Sequence, residues 1–305
     1  MPDLSVVVCT YNRCESLRDT LRALKQQELP EEIRLEILVV DNNSKDRTRQ
    51  VVEEEARESR WPIRYVFERA QGLNYARNRG TKESQGEFVA FTDDDIIPEP
   101  QCARELWETA NAYQADCVGG KILPLWLGQA PSWMEESRVK HHFWGSLALL
   151  DWGSEVIVAS VPDSNFLYGG NIAYRKSILE EVGMFRTDLG PRGSLPLRGD
   201  DTEMLARVFK AGKKVVYAPR AIVRHKVPPQ RMRMAYFRRW KFFAGYSTVK
   251  MELSRKRVPA WFIKECLMDG VGALLCYVRR NNPLAMEKEI LFWERLGRIA
   301  GAWTT

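Results

Sequence analysis

No Cys-x-x-Cys pair occurs in this chain. None of its six cysteines (Cys9, Cys14, Cys102, Cys117, Cys266, Cys276) has a histidine at zinc spacing. The common structural zinc modules are thereby excluded. The N-terminus enters a strand almost at once and offers no signal peptide, so the expectation is a cytoplasmic protein with buried, reduced thiols. No apolar run is free enough of charge for a transmembrane helix; in the nearest, Trp261 to Val278, Lys264, Glu265 and Asp269 intervene. Internal repeats and low-complexity tracts are also missing. After the first apolar run, where a dinucleotide fold would carry Gly-x-Gly-x-x-Gly, the chain reads Thr10-Tyr-Asn-Arg13, and it has no phosphate loop with Gly-Lys-Ser/Thr.

What is present is a 305-residue chain, suited to one large α/β domain with an appendage. Its net charge of +6 points to an anionic partner: a phosphate ester, an acidic membrane surface or nucleic acid. The stretch that organises the rest runs from Glu87 to Pro98. There the β-favouring Phe88, Val89, Ala90 and Phe91 lead directly into Asp93, Asp94 and Asp95. Three adjacent acids repel one another, so their place at the mouth of a buried strand suits a hard divalent cation with oxygen ligands. On a strand-like backbone Asp93 and Asp95 share one side and Asp94 points away. A solvated acidic turn is the bland alternative.

Leu4 to Cys9 is an unbroken apolar run, as in a parallel strand covered on both faces, and Leu17, Leu21 and Leu24 then recur at helical spacing. A second such strand, Glu36 to Val40, stops at Asp41-Asn-Asn-Ser44, whose side chains can form turns and cap the next helix. Ile63 to Phe67 is a third strand, followed by a basic helical segment with Arg77 and Arg79. The alternation predicts a mostly parallel sheet flanked by helices, with ligands gathering beyond the carboxyl ends of its strands, where Thr10, Tyr11, Asp41 and Asp93 to Asp95 all fall.

Ser5 to Asn12, Val39 to Ser44, Ala76-Arg-Asn-Arg-Gly80, Gly86 to Asp95, Gly169-Gly-Asn171 and Gly199-Asp-Asp-Thr-Glu203 resemble, in order, the motifs of family 2 inverting glycosyltransferases of the GT-A fold. The likeness covers roughly Leu4 to His225. It implies a nucleotide-diphospho-sugar transferase of hexosyltransferase type. Its donor would be a nucleoside diphosphate sugar, UDP-linked by preference, with Mn2+ or Mg2+ as cofactor. The acceptor would be a saccharide or lipid-linked saccharide hydroxyl in surface glycan biosynthesis.

By the same resemblance Asp41 reads the nucleotide, with Thr10 and Tyr11 bordering the base; a helix cap is the alternative for Asp41. Arg77 approaches the nucleotide. Asp93 contacts the ribose and Asp95, ahead of Asp94, holds the metal. Gly170 and Asn171 lie under the donor sugar, where small residues let the backbone approach and an amide can bond a hydroxyl. Asp201 is the general base for the acceptor hydroxyl. The family usually has Glu where this chain has Asp200, which leaves the first acid's role open. His225 occupies the place of a late metal-ligating histidine, with core packing as the alternative.

Between Pro124 and Asp163 periodicity fades, and Trp126, Trp133, Trp144 and Trp152 read as packing before sugar stacking. His141-His142 reads as surface or packing, since adjacent side chains diverge. Residues 188–198 read as a Gly- and Pro-rich loop over the site. The expected organisation is a catalytic domain at 1–227 (nucleotide half about 1–122, acceptor half about 123–227) and a helical region at 228–305. In that region Arg231 to Phe243 form a basic aromatic helix that binds an anionic membrane on its inner face or packs on the protein, and further helices offer a dimer contact. A sugar nucleotidyltransferase would want a Gly-rich basic loop that is missing. A nucleic-acid-binding metal protein would leave Asp41 and Asp201 without a role, so no nucleic-acid partner is expected.

Overall fold

The computed structural model describes residues 2–135, 140–160, 163, 166–193, 195–252, 258–279 and 282–304; the side chain of His141 lies outside that set. The first half runs β1 (Leu4–Thr10), α1 (Cys14–Lys25), β2 (Leu35–Asp41), α2 (Thr48–Arg57), β3 (Ile63–Phe67), α3 (Leu73–Glu83), β4 (Phe88–Asp93), β5 (Ile96–Pro98), α4 (Cys102–Ala112) and β6 (Cys117–Trp126). Then come α5 (Lys140–Ser146), β7 (Ile157–Val158), β8 (Ile172–Arg175), α6 (Lys176–Glu181), β9 (Pro191–Arg192), β10 (Leu195–Pro196), α7 (Asp200–Lys210) and β11 (Val215–Val227). Three long helices end the chain: α8 (Met234–Glu252), α9 (Ala260–Val278) and α10 (Asn282–Thr304).

The residues cluster into two compact units. The first holds 1–125, 150–188 and 200–226, and the second holds 126–149, 189–199 and 227–305. Two internal segments of the expected catalytic domain thus group with the C-terminal helices. In the first unit the main sheet has the order β3-β2-β1-β4-β8-β6-β11-β5, with β7 on β11. The strands β3, β2, β1 and β4 are parallel, and every residue of β1 and β2 is buried; the polar Ser5 and Glu36 among them pair, Ser5 Oγ donating to Glu36 Oε1 at 2.6 Å. Beyond β4 the pairings of β8, of β5 with β11 and of β7 with β11 are antiparallel. The parallel pairing lies in the half in which strand and helix alternate, and the antiparallel pairing lies beyond it.

Register aligns Thr10 with Asp41 and Cys9 with Asp93, which brings the polar ends of β1, β2 and β4 to one edge. On β11 the burial alternates, and His225 shares the inward row of Ala221, Val223 and Val227. Helix α3 packs closely on β1 and β2 because residue 80 is glycine. A β-carbon there would strike Val7 and come within 3.2 Å of Val40.

In the second unit Trp133, Phe143 and Phe237 form an edge-to-face cluster, and Phe143 and Phe237 are fully buried. Helices α8 and α10 approach to backbone contact through Gly245 and Gly297, and Arg238 and Lys241 of α8 pair with Glu289 and Glu294 of α10. The basic aromatic helix expected at 231–243 therefore packs against protein. The expected loop at 188–198 carries the short β9–β10 ribbon, and the Arg198 amide donates to Ser247 Oγ.

Candidate active site

The acids Asp94 and Asp95 sit in a turn between β4 and β5, so strand alternation stops at Asp93. The expectation that Asp94 points away from Asp95 is therefore corrected. Arg13, on the loop before α1, donates from one nitrogen to Asp94 Oδ1 and Asp95 Oδ2, each at 3.0 Å. Thr10 Oγ1 donates to Asp94 Oδ2 at 2.7 Å. Burial, with Asp95 adding to it, outweighs the pull of Arg13 and pushes the Asp94 carboxyl up to about 6. Asp93 is raised as well, by burial first and by the nearby charges of Asp95 and Asp201, against Arg77 and His225. An acid cluster this costly to ionise is one that a bound cation relieves.

At the end of β2, Asp41 is buried. Its Oδ1 accepts the Ser44 amide and its Oδ2 accepts the Tyr65 hydroxyl, both at 2.8 Å. The turn foreseen at 41–44 forms. At the start of α2 the Thr48 amide donates instead to Asp46 Oδ1, at 3.1 Å. Tyr11 stands largely exposed beside this edge, open to contact with a flat ligand.

Arg77 lies buried beside the first turn of α7. Its side chain is 3% exposed, and its Nη1 donates to Asp200 Oδ2 at 2.6 Å and Asp201 Oδ1 at 2.5 Å. The guanidinium also lies over the rings of Phe185 and Phe91, at 5.3 and 6.0 Å. Burial alone would lower its pKa, but Asp201 and Asp200 keep it charged. Arg77 thus joins α3 to the first turn of α7, and Asp200, whose role the sequence left open, is the buried half of that clamp. The Asp201 side chain is 27% exposed against 9% for Asp200, so of the two only Asp201 is reachable by an incoming hydroxyl. Arg79, by contrast, faces solvent beside Glu83.

The backbone amide of Gly169 donates to Asp201 Oδ2 at 3.0 Å. A β-carbon at 169 would collide with the Arg77 guanidinium and with Asp201, and one at Gly170 would lie 3.7 Å from Asp93 Oδ2. The glycine pair thus runs between the two acid groups, with a side chain excluded at 169 and only ordinary contacts awaiting a β-carbon at 170. Gly169→Ala is expected to displace Asp201 and to lower turnover at this site by about a hundredfold, a loss of the size that follows ångström-scale misplacement of a reacting group. An activity assay beside the wild type checks it. The Asn171 amide donates to the carbonyls of Lys121 and Ala221, at 3.1 and 2.8 Å, and so braces the sheet.

For a metal, Asp95 Oδ1 lies 3.5 Å from His225 Nε2. Among the described residues no group of three or more His, Cys, Asp or Glu is arranged to hold an ion. The donor set of Asp95 and His225 suits an ion that takes its remaining oxygens from a substrate diphosphate, as Mg2+ and Mn2+ do with one or two carboxylates. Arg13 and Tyr65, which sequence reasoning passed over, hold the acids in place; Arg13 lies just beyond β1, and Tyr65 sits in the middle of β3.

The fold is that of the GT-A glycosyltransferases. It matches the mannosyltransferase PcManGT from Pyrobaculum calidifontis, solved in complex with GDP-Man and Mn2+, with a TM-score of 0.64 at 20% identity over all of this chain and 88% of that one. Residues 5–183 match the profile of glycosyl transferase family 2, and the chain belongs to that family. The succinoglycan biosynthesis protein ExoM of Rhizobium meliloti (strain 1021) is 30% identical over 92% of this chain and 87% of its own. The glucosyl-dolichyl phosphate glucuronosyltransferase of Haloferax volcanii is 28% identical over 82% of this chain and 77% of its own. The protein is a glycosyltransferase.

Proposed function

We propose that this glycosyltransferase is metal-dependent and inverting. It moves a sugar from a nucleoside diphosphate donor, UDP-linked in our reading, to a hydroxyl of a saccharide or lipid-linked saccharide during glycan assembly. The observation that carries this is the pairing of two acid groups across Gly169 and Gly170: Asp93 to Asp95 at the carboxyl ends of the parallel strands, and Asp201 at the start of α7. Asp41, Thr10 and Tyr11 border the nucleotide, Asp93 meets the ribose, and Asp95 with His225 holds Mn2+ or Mg2+, with Asp94 in support. The cation, when bound, supplies stabilisation of the negative charge left on the nucleoside diphosphate. From the opposite side Asp201 takes the proton of the acceptor hydroxyl as that oxygen attacks the anomeric carbon, the geometry of single displacement.

Inclusion of lipid-linked acceptors, and with it a place at a membrane surface, is supported by the glucosyl-dolichyl phosphate named for the Haloferax relative. The use of Mn2+ is supported by the ion named with PcManGT. Turnover of a panel of UDP- and GDP-sugars, with Mn2+, with Mg2+ and with chelator, tests the proposal. Full activity in chelator, or anomer retention in the product, removes it.

The pH dependence follows from Asp94. Its folded-state pKa lies above the ordinary 3.8, so the stability it contributes is present below about pH 3.8 and is lost as pH rises through about 6. A cation held by Asp95 beside it would favour the deprotonated form of Asp94 and offset that loss. The rise in melting temperature given by Mn2+ is therefore expected to grow between pH 5 and 7 (roughly tenfold in affinity per unit below the pKa). Scanning fluorimetry across that range checks the slope; a shift independent of pH contradicts it.

A further inference from the structure

Helix α9 presents an apolar face that is exposed among the described residues. Leu267, Met268, Val271, Leu274, Leu275 and Val278 follow helical i, i+3, i+4 spacing, and each is between 51% and 75% exposed. Trp261, at the start of the helix, is 59% exposed. The opposite side, with Cys266, Asp269 and Ala273, is buried against the protein, and both acids of the helix, Glu265 and Asp269, pair there with Arg295 of α10. One charged side chain, Lys264, shares the exposed stripe. A contiguous exposed face of this kind marks an interaction surface.

Charge decides the occupant. Residues 228–305 hold 15 Lys and Arg against 6 Asp and Glu, whereas residues 1–227 hold 31 against 34, so the basicity of the chain resides wholly in the helical region. In sequence, α9 is preceded by Arg255-Lys-Arg257 and followed by Arg279-Arg280. A second copy pairing on this stripe would set cations against cations at both ends, whether the two helices ran parallel or antiparallel. A sheet of lipid phosphates meets the same cations with the opposite sign. No described helix is long and apolar enough to cross a membrane, and with Lys264, Glu265 and Asp269 in its first half α9 suits the bilayer interface rather than the interior.

We propose that α9 is the membrane-docking element: it lies in the plane of an anionic bilayer, with the Leu267 to Val278 stripe at the acyl boundary and Lys264 and Arg279 at the phosphates. This deepens the reading of a membrane-borne acceptor and rests on it. It also moves the contact from the basic aromatic helix named by the sequence to the next helix, because the α8 cations Arg238 and Lys241 are already paired with acids of α10.

Flotation of the full-length protein with vesicles tests it. The wild type is expected to float with phosphatidylcholine vesicles containing phosphatidylglycerol, and at least about tenfold less with phosphatidylcholine alone or with the variant Leu267→Gln/Val271→Gln/Leu274→Gln. High salt weakens the binding. These side chains face solvent, so the variant keeps its melting temperature. Should it melt early, Lys264→Glu/Arg279→Glu carries the same expectation through charge alone. Equal flotation of wild type and both variants overturns the proposal, as does a wild-type dimer that the triple variant converts to monomer. Transfer measured in detergent separates the two readings: lost flotation with intact transfer concerns α9, whereas a wild type without transfer in detergent removes the acceptor reading itself.

Discussion

Arg77→Met is expected to unfold about 3–5 kcal/mol more easily than the wild type and to lose nearly all transfer. The guanidinium is buried and holds two carboxylates through one nitrogen, so its removal leaves Asp200 buried with an uncompensated charge and Asp201 without its anchor. Lysine preserves the charge but lacks the planar fork, so Arg77→Lys is expected to fall between the two. A double-mutant cycle with Asp200→Asn isolates the pair. If the two sites act as one unit, their coupling is about 0.5–3 kcal/mol, and the double variant is more stable than Arg77→Met alone. Denaturant melts measure this, and additive losses would show that Arg77 acts elsewhere.

The second large effect belongs to Asp201→Asn. Loss of a general base typically costs about 10²–10⁴-fold in rate, and here it is expected to fall on kcat, with donor affinity unchanged. The variant retains an oxygen that can accept from Gly169 or Arg77, so the fold is expected to survive with a loss of about 1–2 kcal/mol. Calorimetric titration with donor, beside a transfer assay, separates the two effects. A donor affinity that falls in step with kcat would instead make Asp201 a donor-binding residue.

The sequence carried the half of the site that lies near strand ends. Buried runs such as Val6 to Cys9 and Ile37 to Val40 announce themselves by being apolar throughout, so the first polar residue after each falls at the ligand edge. Period-two alternation likewise turns His225 inward. Partners brought together by tertiary structure were not legible. Arg77 meets acids more than a hundred positions away, and Arg13 meets Asp94 and Asp95 across the mouth of the sheet. The same limit explains α8. Its cations and aromatics imitate a membrane helix until α10 brings Glu289 and Glu294 against them, and no local pattern carries that pairing.

The strand order bears on how the chain is made. Strand β4 borders β1 on one side, but its other neighbour is β8, which leaves the ribosome roughly 80 residues later, some 4–16 s at ordinary elongation rates. For that interval Phe88 to Phe91 form an apolar strand with one open edge, sticky towards other nascent chains. Spacing of ribosomes along the messenger, or a chaperone that shields this edge until Ile172 emerges, then sets how much of the enzyme reaches its folded form.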